Sequence, residues 1–127
     1  MSKSDLKAKI QAVFDEMCKE YNTNNVERFL DTFSDDAQCL PPGEKLVSGK
    51  KDIGKLLTRH IEKYSDVSID VHEVGSAGGN EEVYSLAVYN EQKLDGSGTV
   101  TGKTLTIWKL IDGQYKIYQY IWNTDSA

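Results

Sequence analysis

The sequence predicts an α+β domain, with helices gathered in the first half and an antiparallel sheet in the second. Three observations carry this. Apolar residues recur at spacings of three and four up to about residue 64, and at two from residue 67 onward. Two turn signals, Asp95-Gly96-Ser97-Gly98 and Asp112-Gly113, divide the later part into long strands. The 127 residues make one domain, residues 1–127, with no repeat or linker, so helices and sheet share one core.

The first helix is read over residues 6–21. Leu6, Ile10, Val13, Phe14, Met17, Cys18 and Tyr21 form one stripe, with Lys7, Lys9, Asp15, Glu16 and Lys19 elsewhere. Ser2 or Ser4 caps it, and Asn22-Thr23-Asn24-Asn25 ends it and caps the next helix. A short second helix carries Val26, Phe29, Leu30 and Phe33, and Ser34-Asp35-Asp36 is read as its stop. Residues 37–40 read as a short strand, which Pro41-Pro42-Gly43 confines to an edge or a turn. The third helix, residues 50–64, carries Ile53, Leu56, Leu57, His60, Ile61 and Tyr64 on one face.

From Val67 the period is two: Val67, Ile69 and Val71 alternate with Ser68, Asp70 and His72. Residues 75–80 read as a loop. Strands follow over 82–94, 99–111 and 114–123. The last strand is apolar at both parities, with Tyr115, Ile117 and Ile121 on one and Tyr118, Tyr120 and Trp122 on the other. Helices can cover only one face of this sheet. A strand buried on both faces calls for a second subunit, so a homodimer through the sheet is expected, with Tyr115, Gln119 and Ile121 or their neighbours at the contact.

Composition excludes several functions. The net charge is −5 and no cationic cluster occurs, which argues against nucleic-acid binding. No apolar run approaches the ~18 residues of a membrane helix, and no secretory leader is visible. Cys18 and Cys39 match no metal or redox spacing and are expected as reduced core residues, which points to the cytoplasm. Serine chemistry lacks a nucleophile elbow, residues 75–79 lack the partners of a phosphate loop, and no metal or cofactor is assigned.

The segments Phe33-Ser34-Asp35-Asp36-Ala37, Leu40-Pro41-Pro42-Gly43 and Gly49 before a helix resemble the SnoaL-like group of the nuclear transport factor 2-like superfamily. So do Thr106-Ile107-Trp108-Lys109, Asp112-Gly113, Tyr115-Lys116-Ile117 and Ile121-Trp122-Asn123-Thr124-Asp125. The resemblance covers nearly the whole chain. It implies a curved antiparallel sheet wrapped around three N-terminal helices, cone-shaped, with a pocket at the open end, in a homodimer. Relatives include steroid isomerases, polyketide cyclases, dehydratases, a kinase association domain and a nuclear transport carrier, so fold alone does not assign an activity.

The isomerase pattern places a carboxylate base at Pro41, a phenol at Met17 and a buried acid near Thr106, none of which can do that work. Of the two histidines, His60 lies on an apolar helix stripe and His72 on the opposite parity to Val71. Nothing in the sequence brings a carboxylate to His60. The resemblance gives a pocket lined by Tyr118, Tyr120 and Trp122, by Thr104, Thr106 and Trp108, and by Cys39 and Pro41, with Met17 and His60 beside them. Many relatives carry Asp where this chain has Tyr120. The expectation is a non-enzymatic dimeric module with a pocket for a small apolar or aromatic molecule, held by stacking and a few hydrogen bonds. The alternatives are a small isomerase, cyclase or hydrolase using His60 or Tyr120 as proton carrier, and a pure oligomerisation module.

Overall fold

In the computed structural model, which describes residues 2–79 and 81–126, the helical stripe of the first segment becomes the inner face of α1 (Lys3–Asn22). Ser2 is its cap: its hydroxyl accepts from the Asp5 N–H at 3.1 Å, and the Asp5 carboxylate accepts back from the Ser2 N–H. Ile10, Phe14, Met17, Cys18 and Tyr21 are all buried, and side chains of this kind contribute ~1.5–3 kcal/mol each when fully buried. Gln11 docks α1 on the sheet, donating to the Ile69 carbonyl at 2.7 Å and accepting from the Val71 N–H at 2.8 Å.

The next helix is shorter than its periodicity suggests. α2 spans Val26–Leu30, and Phe33 already opens β1 (Phe33–Leu40). Ser34-Asp35-Asp36 is therefore strand, not a helix stop. The reason is tertiary: the Ile117 N–H donates to the Thr32 carbonyl at 2.8 Å and Phe33 pairs with Ile117, which draws the chain into the sheet. After the two-residue β2 (Val47–Ser48), α3 runs Lys50–Ile61, and Tyr64 belongs to the following strand instead of the helix.

The strands are β3 (Tyr64–Ser76), β4 (Glu82–Lys93), β5 (Thr99–Ile111) and β6 (Gln114–Thr124). Gly75 and Ser76 extend β3 beyond the expected loop start, and Asn80 lies outside the described residues. Gly75 leaves room there for the Tyr84 ring on β4, which a Cβ at 2.5 Å would push aside. Asp112 and Gly113 both take positive φ, 51° and 79°, the tight hairpin turn their sequence signals. The sheet has six strands in the order β2-β1-β6-β5-β4-β3 and does not close. It is mixed, because β1 runs parallel to β6 while every other pair is antiparallel. The all-antiparallel expectation is corrected at that one pairing.

Irregularities decide which residues face inward. On β6 the register with β5 jumps from Gln119↔Ile107 to Ile117↔Trp108, so Tyr118 is an extra residue, a β-bulge. Tyr115 and Ile117 are inward before the bulge, and Tyr120 and Trp122 are inward after it. The inward residues of this strand thus come from both parities, Tyr115 and Ile117 from one and Tyr120 and Trp122 from the other, while Ile121 faces outward. Tyr115 is not on the outer face: it is buried beneath α1, with Lys9 Nζ 5.9 Å from its ring centroid. Tyr118 points outward, with Lys109 Nζ 3.5 Å from its ring centroid.

Candidate functional site

Between the helices and the inner face, a cavity of about 90 Å³ remains open. That is roughly six times the ~15 Å³ a single water needs, room for one small ring-sized molecule. Its helical wall is Met17 and Tyr21 of α1 with Ile53, Leu56, Leu57 and His60 of α3. Phe29, Phe33 and Cys39 close one side. The sheet contributes Ile69 from β3, Tyr89 and Glu91 from β4, and Tyr120 and Trp122 from β6. His60, with 26% of its side chain exposed, and the half-buried Trp122 mark the mouth.

Five expected site residues therefore meet at the cavity: Met17, Cys39, His60, Tyr120 and Trp122. Five do not line it. Trp108 is fully buried core, its Nε1–H donating to Ser85 Oγ at 2.9 Å and its ring edge-on to Phe14 at 5.0 Å. Thr104 and Thr106 face inward opposite Trp122 and Tyr120 but are buried outside the cavity lining. Pro41 is buried at the end of β1, outside the lining, and Tyr118 is turned outward by the bulge.

The residue the sequence reading missed is Glu91. It is only 4% exposed, and its Oε2 lies 2.9 Å from His60 Nε2. The pair joins the last turn of α3 to the end of β4. Three aromatic rings surround the imidazole: Tyr64 stacks at 4.6 Å, while Tyr21 and Trp122 approach edge-on at 6.1 and 6.3 Å. A carboxylate at that distance fixes the ring and favours the Nε2–H form, which leaves Nδ1 as an acceptor. His72 is exposed on the far face and takes no part.

The remaining polar groups are phenols. Burial, reinforced by nearby groups including Glu91, pushes the Tyr120 phenol well above the usual tyrosine range. Burial and then Glu91 do the same for Tyr21 and Tyr89. All three are neutral hydroxyls at physiological pH. Tyr21 spends its proton on the Tyr64 carbonyl at 3.1 Å, while the Tyr120 hydroxyl has no hydrogen-bond partner among the described residues. Burial lifts the Cys39 thiol to about 12, so it is an inert wall and not a nucleophile. No cluster of three metal-ligating side chains occurs among the described residues. The cavity offers one buried acid–base pair, neutral donors and aromatic faces.

The model of the SnoaL-like domain family matches residues 14–119. The chain belongs to that family. Solved structures agree on the fold of this SnoaL-like domain. A ketosteroid isomerase-like protein from Erwinia carotovora atroseptica superposes with a TM-score of 0.78 at 16% identity, covering 94% of this chain and 96% of that one. An NTF-2 like protein of unknown function from Shewanella oneidensis gives 0.77 at 12% identity, covering 91% and 96%. A protein of unknown function with a cystatin-like fold from Nostoc punctiforme gives 0.78 at 12% identity, covering 95% and 92%. None of the curated proteins compared matches this chain in sequence. Among the described residues no helix is long and apolar enough to cross a membrane.

Proposed function

We propose that this SnoaL-like domain binds a small, largely apolar ring-sized molecule in the cavity between α1, α3 and the sheet. The observation that carries the reading is the open volume of about 90 Å³, walled by aromatic and aliphatic side chains, with Glu91 and Tyr120 holding unused hydrogen-bonding capacity. A cavity with no such role would be expected to collapse or fill, because voids of this size cost packing energy. Native mass spectrometry of the purified protein, followed by titration with indole, tests it. Retention of a reproducible small-molecule mass, or saturable indole binding, supports the reading. A bare protein that also ignores millimolar indole overturns it.

The working unit of the reading is a homodimer through the outer face of the sheet. Leu86 pairs with Leu105 and Leu105 with Ile121, so three apolar side chains, 40%, 41% and 39% exposed, stand in one row across three strands. Val88 adjoins the row. A contiguous exposed apolar row of this kind favours a partner, and self-association supplies one of matching shape. Gln119 and Ile121 belong to this face; Tyr115 does not.

A second reading, an acid–base enzyme, is favoured by one observation, the 2.9 Å His60–Glu91 contact inside the cavity. An imidazole held by a buried carboxylate is a general base. Ring opening of 5-nitrobenzisoxazole tests this, since it needs only removal of the C3 proton as the N–O bond breaks to give a cyanophenolate. A rate above that of free imidazole that His60→Gln abolishes supports the enzyme reading; the same rate in both proteins contradicts it.

A further inference from the structure

Glu91 is the one acidic side chain of the cavity, and no Lys or Arg lines it. A buried carboxylate is normally paired through both oxygens, because a desolvated charge with spare acceptor capacity is costly. Here Oε2 is used by His60 at 2.9 Å, whereas Oε1 has no hydrogen-bond partner among the described residues. The fully occluded unpartnered side-chain oxygens among those residues are Thr104 Oγ1 and Thr106 Oγ1, so Oε1 of Glu91, which lines the cavity, keeps some accessible surface. Tyr21, Tyr89, Tyr120 and Trp122 line the same cavity. A carboxylate oxygen open to an aromatic box is the complement of an ammonium: the charge is met by Oε1 and the adjoining C–H groups by ring faces.

Resting on the small-molecule reading above, we propose that the cavity selects an organic cation, a protonated primary amine on a ring-sized apolar body, with its ammonium against Glu91 Oε1. A carboxylate as the one acidic group, with no Lys or Arg in the lining, attracts a cation and gives an anion no ammonium or guanidinium partner.

The test is calorimetric titration of the full chain at about pH 8, where an ordinary primary amine is protonated, with benzylamine, benzyl alcohol and benzoate. These share one ring and differ in charge. Benzylamine is expected to bind about tenfold or more tighter than benzyl alcohol, with benzoate weakest. Glu91→Gln, which keeps an acceptor for His60, is expected to bring the ratio of benzylamine to benzyl alcohol affinity down to about one, whatever it does to either affinity alone. Benzoate binding as tightly as benzylamine, or an amine advantage that survives in the Glu91→Gln protein, overturns the inference. Indole, measured alongside, separates the two levels. If indole binds but benzylamine shows no advantage, the cation inference alone falls. If nothing binds, the small-molecule reading falls with it. The wild-type series decides the question even where the variant does not fold.

Discussion

Glu91 and Thr106 illustrate two ways of burying a polar group, and they call for opposite responses to substitution. Thr106 is fully buried with its hydroxyl unpartnered. Its hydroxyl therefore destabilises the fold, and Thr106→Val is expected to leave stability unchanged or raise it by about 1 kcal/mol in urea denaturation. Glu91 was not legible in the sequence as a site residue. It continues the inward parity of Val83, Ala87 and Tyr89, which was a readable signal. Its approach to His60, 31 positions away, depends on how α3 lies on β4 and has no local signature. His60 itself was legible, because it shares a stripe with Leu56 and Leu57. The thiols give a pH expectation. Burial pushes Cys18, with Asp15 adding, and Cys39 up to about 12 in the fold from an ordinary 9.0. Unfolding frees them to ionise above pH 9.0, so their stabilising contribution is intact below that and is lost progressively toward about pH 12. Denaturation midpoints are expected to hold constant with respect to these groups from pH 7 to 9 and to fall beyond it.

At the scale of elements, periodicity located most of the structure and failed where the sheet is irregular. The α1 stripe and the Asp112-Gly113 turn follow from local rules, and both appear where those rules put them. Phe33 keeps helical spacing from Phe29 yet lies in β1, because parallel pairing with β6 outweighs a short helix's last turn. The bulge at Tyr118 is the more consequential failure. A strand apolar at both parities reads as buried on both faces, but one extra residue switches parity midway and places Tyr115, Ile117, Tyr120 and Trp122 on the same side. The bulge also aims Tyr120 and Trp122 into the cavity. Deleting Tyr118 joins Ile117, opposite Trp108, directly to Gln119, opposite Ile107, so the pairing with β5 becomes regular and Tyr115, Ile117, Tyr120 and Trp122 all stay inward. Stability within about 1 kcal/mol of the parent chain in urea denaturation is the expected outcome. A loss of several kcal/mol would show that the bend made by the bulge is itself required.

For the whole molecule, the proposed self-association uses the outer sheet face that the sequence pointed to, with Gln119 and Ile121 on it and Tyr115 buried on the other side. The row Leu86–Leu105–Ile121 is its apolar part. Leu105→Glu places a charge in the middle of that row without touching the core, since Leu105 is 41% exposed. Light scattering at micromolar concentration is expected to give a dimer for the parent chain and a monomer for the variant, with the variant's cavity still able to bind indole. A monomeric parent chain would remove the dimer from the account.

The central claim is that the cavity under α1 and α3 takes up a small ring-sized molecule. An amide-correlation NMR titration with indole addresses it most directly, because each residue reports separately. The account expects saturable shifts that centre on Met17, Cys39, His60, Glu91 and Tyr120 and spare the outer row at Leu86 and Leu105. Shifts that are absent, or that gather on the outer row instead, would contradict it.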